Sequence, residues 1–250
     1  MTRHGARSEG PPVLDDGVRL DPDHLPTGDD KRRAVRAMFD AIAPRYDLVN
    51  RLMTFGLDVR WRRRTVRSLA LPPGSVVADL ACGTGDFCRE LARRGHVPVG
   101  FDLSVGMLRA ARTDAPLVHA DVLTLPVADG AVDGAVSGFA LRNLVELPAF
   151  FDELARVVRP GGRIGLLEVA EPANRLVRRA HAVYFGRVVP RIGGLLSDAT
   201  AYRYLPSSVS YLPSPETLLD QLAAAGFTEV ERRLLPTGAA QLVTATRVRP

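Results

Sequence analysis

The chain has 250 residues, of which 46% are hydrophobic and 24% charged. This fits one folded domain with additions and excludes wholesale disorder. No stretch approaches the roughly 20 apolar residues of a membrane span, and the opening MTRHGARSEGPPVLDDG has no apolar block after its charges, so a cytoplasmic location is expected. The net charge is +5 with a pI near 9.7, which raises RNA or an acidic membrane surface as anionic partners. The basic residues bunch in RWRRRTVR (60–67), expected as a solvated helix face, and in NRLVRRAHAVYFGRVVPR (174–191). Cys82 and Cys88 match neither a disulfide framework nor metal-ligand spacing and are expected as small core residues.

Residues 1–28 lack apolar periodicity and are expected to form a disordered N-terminal tail, with order beginning near Asp29. From Asp30, Val35, Met38, Phe39 and Ile42 share a helical stripe that ends near Pro44, and a second helix is expected over Leu57–Leu69. Strand-like and helix-like runs then alternate. SVVADLA, VPVGFDL, APLVHAD, GAVDGAVSGFA and RIGLLEVAEP read as strands. The helices between them are GDFCRELARRG, SVGMLRAAR with Ser104 as N-cap, and LPAFFDELARVV before an RPGG turn. A helix capped by Ser214 and two strands joined by PTG close the chain. The expected fold is therefore α/β and Rossmann-like: a seven-stranded, mostly parallel sheet with one antiparallel strand and helices on both faces. The folded domain, 29–250, would carry an N-terminal helical cap (29–71) and an inserted lid (172–213), both outside the sheet rhythm.

The run VVADLACGTGDF (76–87) passes from strand to glycine turn to helix, an order that cradles ligands because backbone can approach them where side chains are absent. Gly83 and Gly85 supply that approach. The dinucleotide fingerprint G-x-G-x-x-G is broken at Cys88. Asp79 before the loop and Asp86 in the first helical turn would oppose a phosphate, so a cationic ligand is expected. Asp102, at the end of the next strand, is placed to accept hydrogen bonds from ribose hydroxyls. Asp121 follows the third strand and suits an adenine amino group. A positively charged nucleoside without phosphate describes S-adenosylmethionine, and no metal is called for.

Asp79 to Asp86 with Asp102, Asp121 and RPGGR resemble the class I S-adenosylmethionine-dependent methyltransferases. FDAIAPRYDLVNRLMTFGLDVRWR (39–62), GFALRN (138–143), RVVRPGGRIGLLEVAEP (156–172) and YRYLPSSVSYLPSPETL (202–218) resemble, in order and spacing, the ubiquinone/menaquinone biosynthesis C-methyltransferase family. The similarity runs over residues 36–246. It implies methylation of a ring carbon of a prenylated quinol, with demethylmenaquinol the leading substrate. It also implies cofactor contacts from Tyr46, Ala81, Thr84, Leu103, Met107, Val122 and Ser137 beside the acids and glycines above. Ala140 stands where the family usually has Gly, and Ala170 where it usually has Ser, which bears on the choice of aromatic substrate.

A quinol ring carbon becomes nucleophilic when a hydroxyl loses its proton, and a phenol titrates near pKa ~10. Arg142 is the candidate to stabilise that phenolate, directly or through water, with Asn143 orienting the ring oxygen; a salt bridge to Glu168 is the structural alternative for Arg142. Tyr46 is expected over the sulfonium, with Asn50 and Phe139 on the substrate side and Tyr202 and Tyr204 stacking on the ring. The basic segment 174–191 alternates apolar and arginine positions and suits an anionic membrane surface, the natural site for a prenyl tail. Other readings are a methyltransferase for another small aromatic or polyketide phenol, an RNA-binding module, and a cofactor-binding protein without catalysis. No recognised nucleic-acid motif is present, and homodimerisation is left open.

Overall fold

The computed structural model describes residues 27–172, 178, 179, 184 and 208–248. The expected tail, most of the expected lid, the basic segment 174–191 for the most part, and Tyr202 and Tyr204 lie outside the described residues.

The chain enters through helices α1 (Gly28–Ile42), α2 (Tyr46–Met53) and α3 (Leu57–Ser68). The structure adds α2 between the two helices that the periodicity predicts. Then follow β1 (Val76–Leu80), α4 (Asp86–Arg93), β2 (Val97–Asp102), α5 (Val105–Ala110), β3 (Leu117–His119), β4 (Val132–Gly138), α6 (Leu147–Val157) and β5 (Val158–Val169). Helix α7 (Pro215–Ala224) and strands β6 (Phe227–Leu234) and β7 (Ala240–Arg247) complete the order. The expected caps form: Ser104 Oγ accepts from Met107 N at 3.0 Å and Ser214 Oγ from Thr217 N at 3.2 Å. RPGG does not separate α6 from its strand. It lies inside β5, where the pairing steps from Val132↔Val158 to Gly134↔Arg163, an irregularity that absorbs the extra residues.

One sheet runs β3-β2-β1-β4-β5-β7-β6. The pairs from β3 to β5 are parallel, and β7 runs against both β5 and β6, as the closing hairpin requires. Side chains alternate across each strand. Ala78 and Leu80 of β1 join the cluster of Phe150, Phe151 and Leu154 from α6 and Leu222 from α7, while Val77 packs with Trp61 and Val66 of α3, Leu69 just after it, and Phe87 and Leu91 of α4. Each such side chain removed from water contributes about 1.5–3 kcal/mol. A third cluster joins Met38 and Ile42 of α1, Val49 and Met53 of α2 and Met107 of α5, so the first two helices stand over the carboxyl ends of β1 and β2. Strand order reverses between β1 and β4. In open parallel sheets ligands bind in the crevice outside the strand ends at that reversal.

Candidate active site

A cleft of about 810 Å³, counting space open to solvent, lies at this reversal. Its floor is made by the residues that leave β1 and β4. Ala81 and Phe139, each just past its strand, hold φ of +55° and +61°, left-handed conformations that L residues adopt at a cost of order 1–3 kcal/mol. Both line the cleft. Gly83 follows at φ +54°, and a Cβ built there meets nothing within 4 Å; it would project into open space that a ligand can use.

The neighbouring glycine and acids have other work. A Cβ on Gly85 would lie 2.7 Å from Thr113 Cγ2, and Gly85 is the residue before α4, at φ +80°. Its need for glycine is turn geometry and packing, not close approach to a ligand. Lacking a side chain, Gly85 cannot cap α4, and Asp79 does so instead: its Oδ2 accepts from Cys88 N at 3.1 Å and Cys88 Sγ at 3.2 Å. Asp79 shares the face of β1 that carries Val77, so strand alternation aims it at α4 and away from the cleft, which it does not line. Burial raises its carboxyl to about 7, against the hydrogen bonds from Cys88. Asp86 is clamped by Arg89 and lies 3.5 Å from Arg62. The two acids that argued against a phosphate are therefore spent on arginines and on the helix. The acids that line the cleft are Asp102 and Asp121.

Asp102 ends β2 with Oδ2 accepting from Gly83 N at 2.7 Å and Oδ1 from Ser104 N at 2.8 Å. Burial raises its carboxyl, and these two hydrogen bonds oppose the rise. It locks the glycine loop to the next strand, and each oxygen keeps a second lone pair. Asp121 Oδ1 accepts from Leu123 N at 3.0 Å, and Arg32 Nη1 of α1 reaches Oδ2 at 3.3 Å across the cleft. Leu103, Met107 and Val122 complete this wall. Ser137 is buried, donates to Leu80 O at 2.8 Å and joins β4 to β1 below the site; it is not part of the lining. Thr84 and Asp47 are hydrogen-bonded to each other beside a smaller cavity next to the cleft.

Asn143 stands opposite, in a single 3-10 turn (Leu141–Asn143) after β4. Its Nδ2 donates to Phe139 O at 3.3 Å, which fixes the amide so that Oδ1, buried, has no hydrogen-bond partner among the described residues. Native proteins rarely leave such an acceptor unpaired. Arg142 points elsewhere. It does not line the cleft; its guanidinium is paired with buried Glu168, and Nε donates to Ser208 Oγ at 3.1 Å. The ion pair named as the alternative for Arg142 is the arrangement found, and direct contact with a ring oxygen is not what this geometry offers. Tyr46 lines the cleft, edge-on to Phe39 at 6.0 Å between ring centroids. Burial pushes its phenol up, and Asn50, hydrogen-bonded to it, is not itself in the lining.

Two contributions escape the sequence reading. Arg32, Val35, Arg36 and Phe39 of α1 line the cleft, although the stripe that includes Val35 and Phe39 reads simply as a core face. Arg62 is no solvated residue of a charged run. It is 7% exposed, bonded to Asp58 at 2.7 Å, and its guanidinium carbon lies 5.8 Å and 5.7 Å from the ring centroids of Phe87 and Phe139. The i,i+4 spacing of Asp58 and Arg62 was the available signal. Cys82 and Cys88 are buried, and burial raises both thiols, so they act as small core residues.

A demethylmenaquinone methyltransferase of Thermus thermophilus is 43% identical over 220 residues, covering 84% of this chain and all of that protein. The ubiquinone/menaquinone biosynthesis C-methyltransferase UbiE of Syntrophotalea carbinolica is 42% identical over 225 residues, 86% of this chain and 94% of its own. Among solved structures, a SAM-dependent methyltransferase of Thermotoga maritima superposes with a TM-score of 0.60 at 18% identity, over 85% of this chain and 99% of that one; the likeness establishes the class I methyltransferase fold. The model of the ubiE/COQ5 methyltransferase family matches residues 27–247, and the chain belongs to that family.

Proposed function

We infer that this enzyme transfers a methyl group from S-adenosylmethionine to a ring carbon of a prenylated quinol, with demethylmenaquinol as substrate. The chain is a SAM-dependent methyltransferase of quinone biosynthesis by family. The observation that carries the finer reading is Asn143 Oδ1: a buried acceptor on the cleft wall, held by the Phe139 carbonyl and lacking a donor among the described residues, suits a ring hydroxyl.

The residues present fit the methyl donor. Asp102 and Asp121 are the acceptors for its ribose and adenine, and Gly83 leaves room for its approach. When bound, S-adenosylmethionine supplies an already activated methyl on a sulfonium, so what remains for the protein is alignment and the substrate proton. Asn143 orients the ring through one hydroxyl. Tyr46 and Phe39 present aromatic faces on the same cleft. Arg142, tied to Glu168 behind the turn that carries Asn143, contributes positioning of that turn. With Arg142 turned away, loss of the hydroxyl proton is left to solvent, to which the cleft is open.

The enzyme is further proposed to work at the cytoplasmic face of an anionic membrane. Among the described residues, Leu48 and Leu52 of α2 and Phe55 in the turn after it are 55%, 46% and 77% exposed. Such a surface suits a substrate with a polyprenyl tail.

The test is methyl transfer from labelled S-adenosylmethionine to a reduced demethylmenaquinone analogue under anaerobic conditions, with mass spectrometry locating the methyl. Methylation on ring carbon is expected. Cofactor binding without transfer, or methylation on oxygen, would refute the reading.

A further inference from the structure

Of the 33 lysines and arginines in this chain, one is a lysine, Lys31. It is also 4% exposed, on the buried stripe of α1 that continues through Ala34, Met38 and Ile42. Its stem packs with that stripe, and its Nζ donates to Leu144 O at 2.7 Å, while the Tyr211 ring centroid lies 3.6 Å from the same nitrogen. Leu144 directly follows the 3-10 turn that carries Asn143 and itself lines the cleft. The turn is thus gripped from two directions: Asn143 Nδ2 on the Phe139 carbonyl and Lys31 on the Leu144 carbonyl. Arginine, with a planar fork, does not substitute simply for a compact ammonium that meets one carbonyl and one ring face.

Nearby charges are occupied elsewhere. On α1, Asp29 pairs with Arg32 and Asp30 with Arg33. From the turn, Arg142 pairs with Glu168, and Glu146 is exposed. From the segment Ser208–Tyr211, the titratable group is the Tyr211 phenol, which burial pushes up. With no carboxylate among the described residues to offset it, burial lowers the Lys31 amine from 10.5 to about 8.

We propose that Lys31 is a positioning residue: its ammonium, seated on the Leu144 carbonyl and the Tyr211 ring, fastens α1 to the Asn143 turn and fixes where Asn143 Oδ1 meets the substrate. The proposal rests on the quinol reading for the substrate, but the contact itself is independent of it. The ammonium is the stronger donor and the only form attracted to the ring face, so the clasp weakens as the amine loses its proton.

The experiment uses the full chain and two readouts. The first is acetylation by acetic anhydride at pH 8, followed by peptide mapping in the mass spectrometer; because the chain has one lysine, the side-chain amide located at Lys31 is read apart from acetyl esters on the tyrosines. Modification at least tenfold slower than that of a lysine in a short peptide is expected, and modification at the peptide's rate overturns the proposal whether or not any quinol is methylated. The second is turnover by Lys31→Met and Lys31→Arg with the demethylmenaquinone analogue. Lys31→Met is expected to lower kcat tenfold or more while the KM for S-adenosylmethionine changes less than threefold. The parent rate is expected to decline above about pH 8, and Lys31→Arg, which stays charged, is expected to lack that decline. An undiminished kcat in Lys31→Met, or a decline shared by Lys31→Arg, overturns the positioning role. Should Lys31→Met not fold, the acetylation rate and the Lys31→Arg profile still decide. Slow acetylation with no transfer by the parent chain counts against the quinol reading and supports the contact.

Discussion

Replacing Asp79 by Asn isolates one buried charge. The carboxyl is 1% exposed, and burial raises it from 3.8 to about 7. Being raised, it contributes stability that is fully present below about pH 4 and is lost as the pH climbs through 7, because over that window the native state holds a proton that the unfolded chain has released. A rise of about 3 pH units corresponds to roughly 4 kcal/mol at about 1.4 kcal/mol per unit. Asn keeps an oxygen to accept from Cys88 N, so the cap on α4 survives, and it never ionises. Equilibrium urea unfolding at pH 5, 6, 7 and 8 and fixed ionic strength measures the difference between the two proteins. The parent is expected to lose about 2–3 kcal/mol relative to Asp79→Asn from pH 5 to pH 8. Parallel stability curves would refute the argument, because they would mean that Asp79 reaches solvent or a cation.

The two loop glycines separate by readout. Gly83→Ala places a methyl in open cleft space and is expected to weaken S-adenosylmethionine binding, measured by calorimetry, with about 1–2 kcal/mol of backbone strain at φ +54°. Gly85→Ala drives a methyl into Thr113 and is expected to cost more stability than Gly83→Ala in denaturant unfolding, with a smaller change in cofactor affinity per folded molecule. Glu168→Ala leaves the Arg142 guanidinium buried and unpaired, so a loss of about 3–5 kcal/mol in unfolding free energy is expected; a neutral result would show that Arg142 has another partner. Asn143→Ala is expected to reduce kcat for methyl transfer tenfold or more while cofactor affinity stays within about threefold, and equal loss of both would place Asn143 on the cofactor side of the cleft.

The sequence by itself determined the alternation of strands and helices from Val76 onward, a mostly parallel sheet with one antiparallel strand, the caps at Ser104 and Ser214, and the placing of Gly83, Asp102 and Asp121 at strand ends. Those features are local: apolar period, turn chemistry and capping act over a few residues, and a strand followed by a glycine turn delivers its next residues to the sheet edge. The tertiary structure decided which face each polar residue serves. Asp79 and Asp102 look alike in sequence as strand-end acids, yet a two-residue alternation sends Asp79 under α4 and leaves Asp102 lining the cleft. Arg142 and Asn143 are adjacent, but Glu168, 26 residues away, takes the first, and nothing among the described residues takes the Oδ1 of the second. Arg62 reads as a member of a basic run until packing buries it, and packing buries Lys31 as well. The destination of a long charged side chain depends on partners distant in sequence, because desolvation and pairing are set by what the fold brings within a few ångströms.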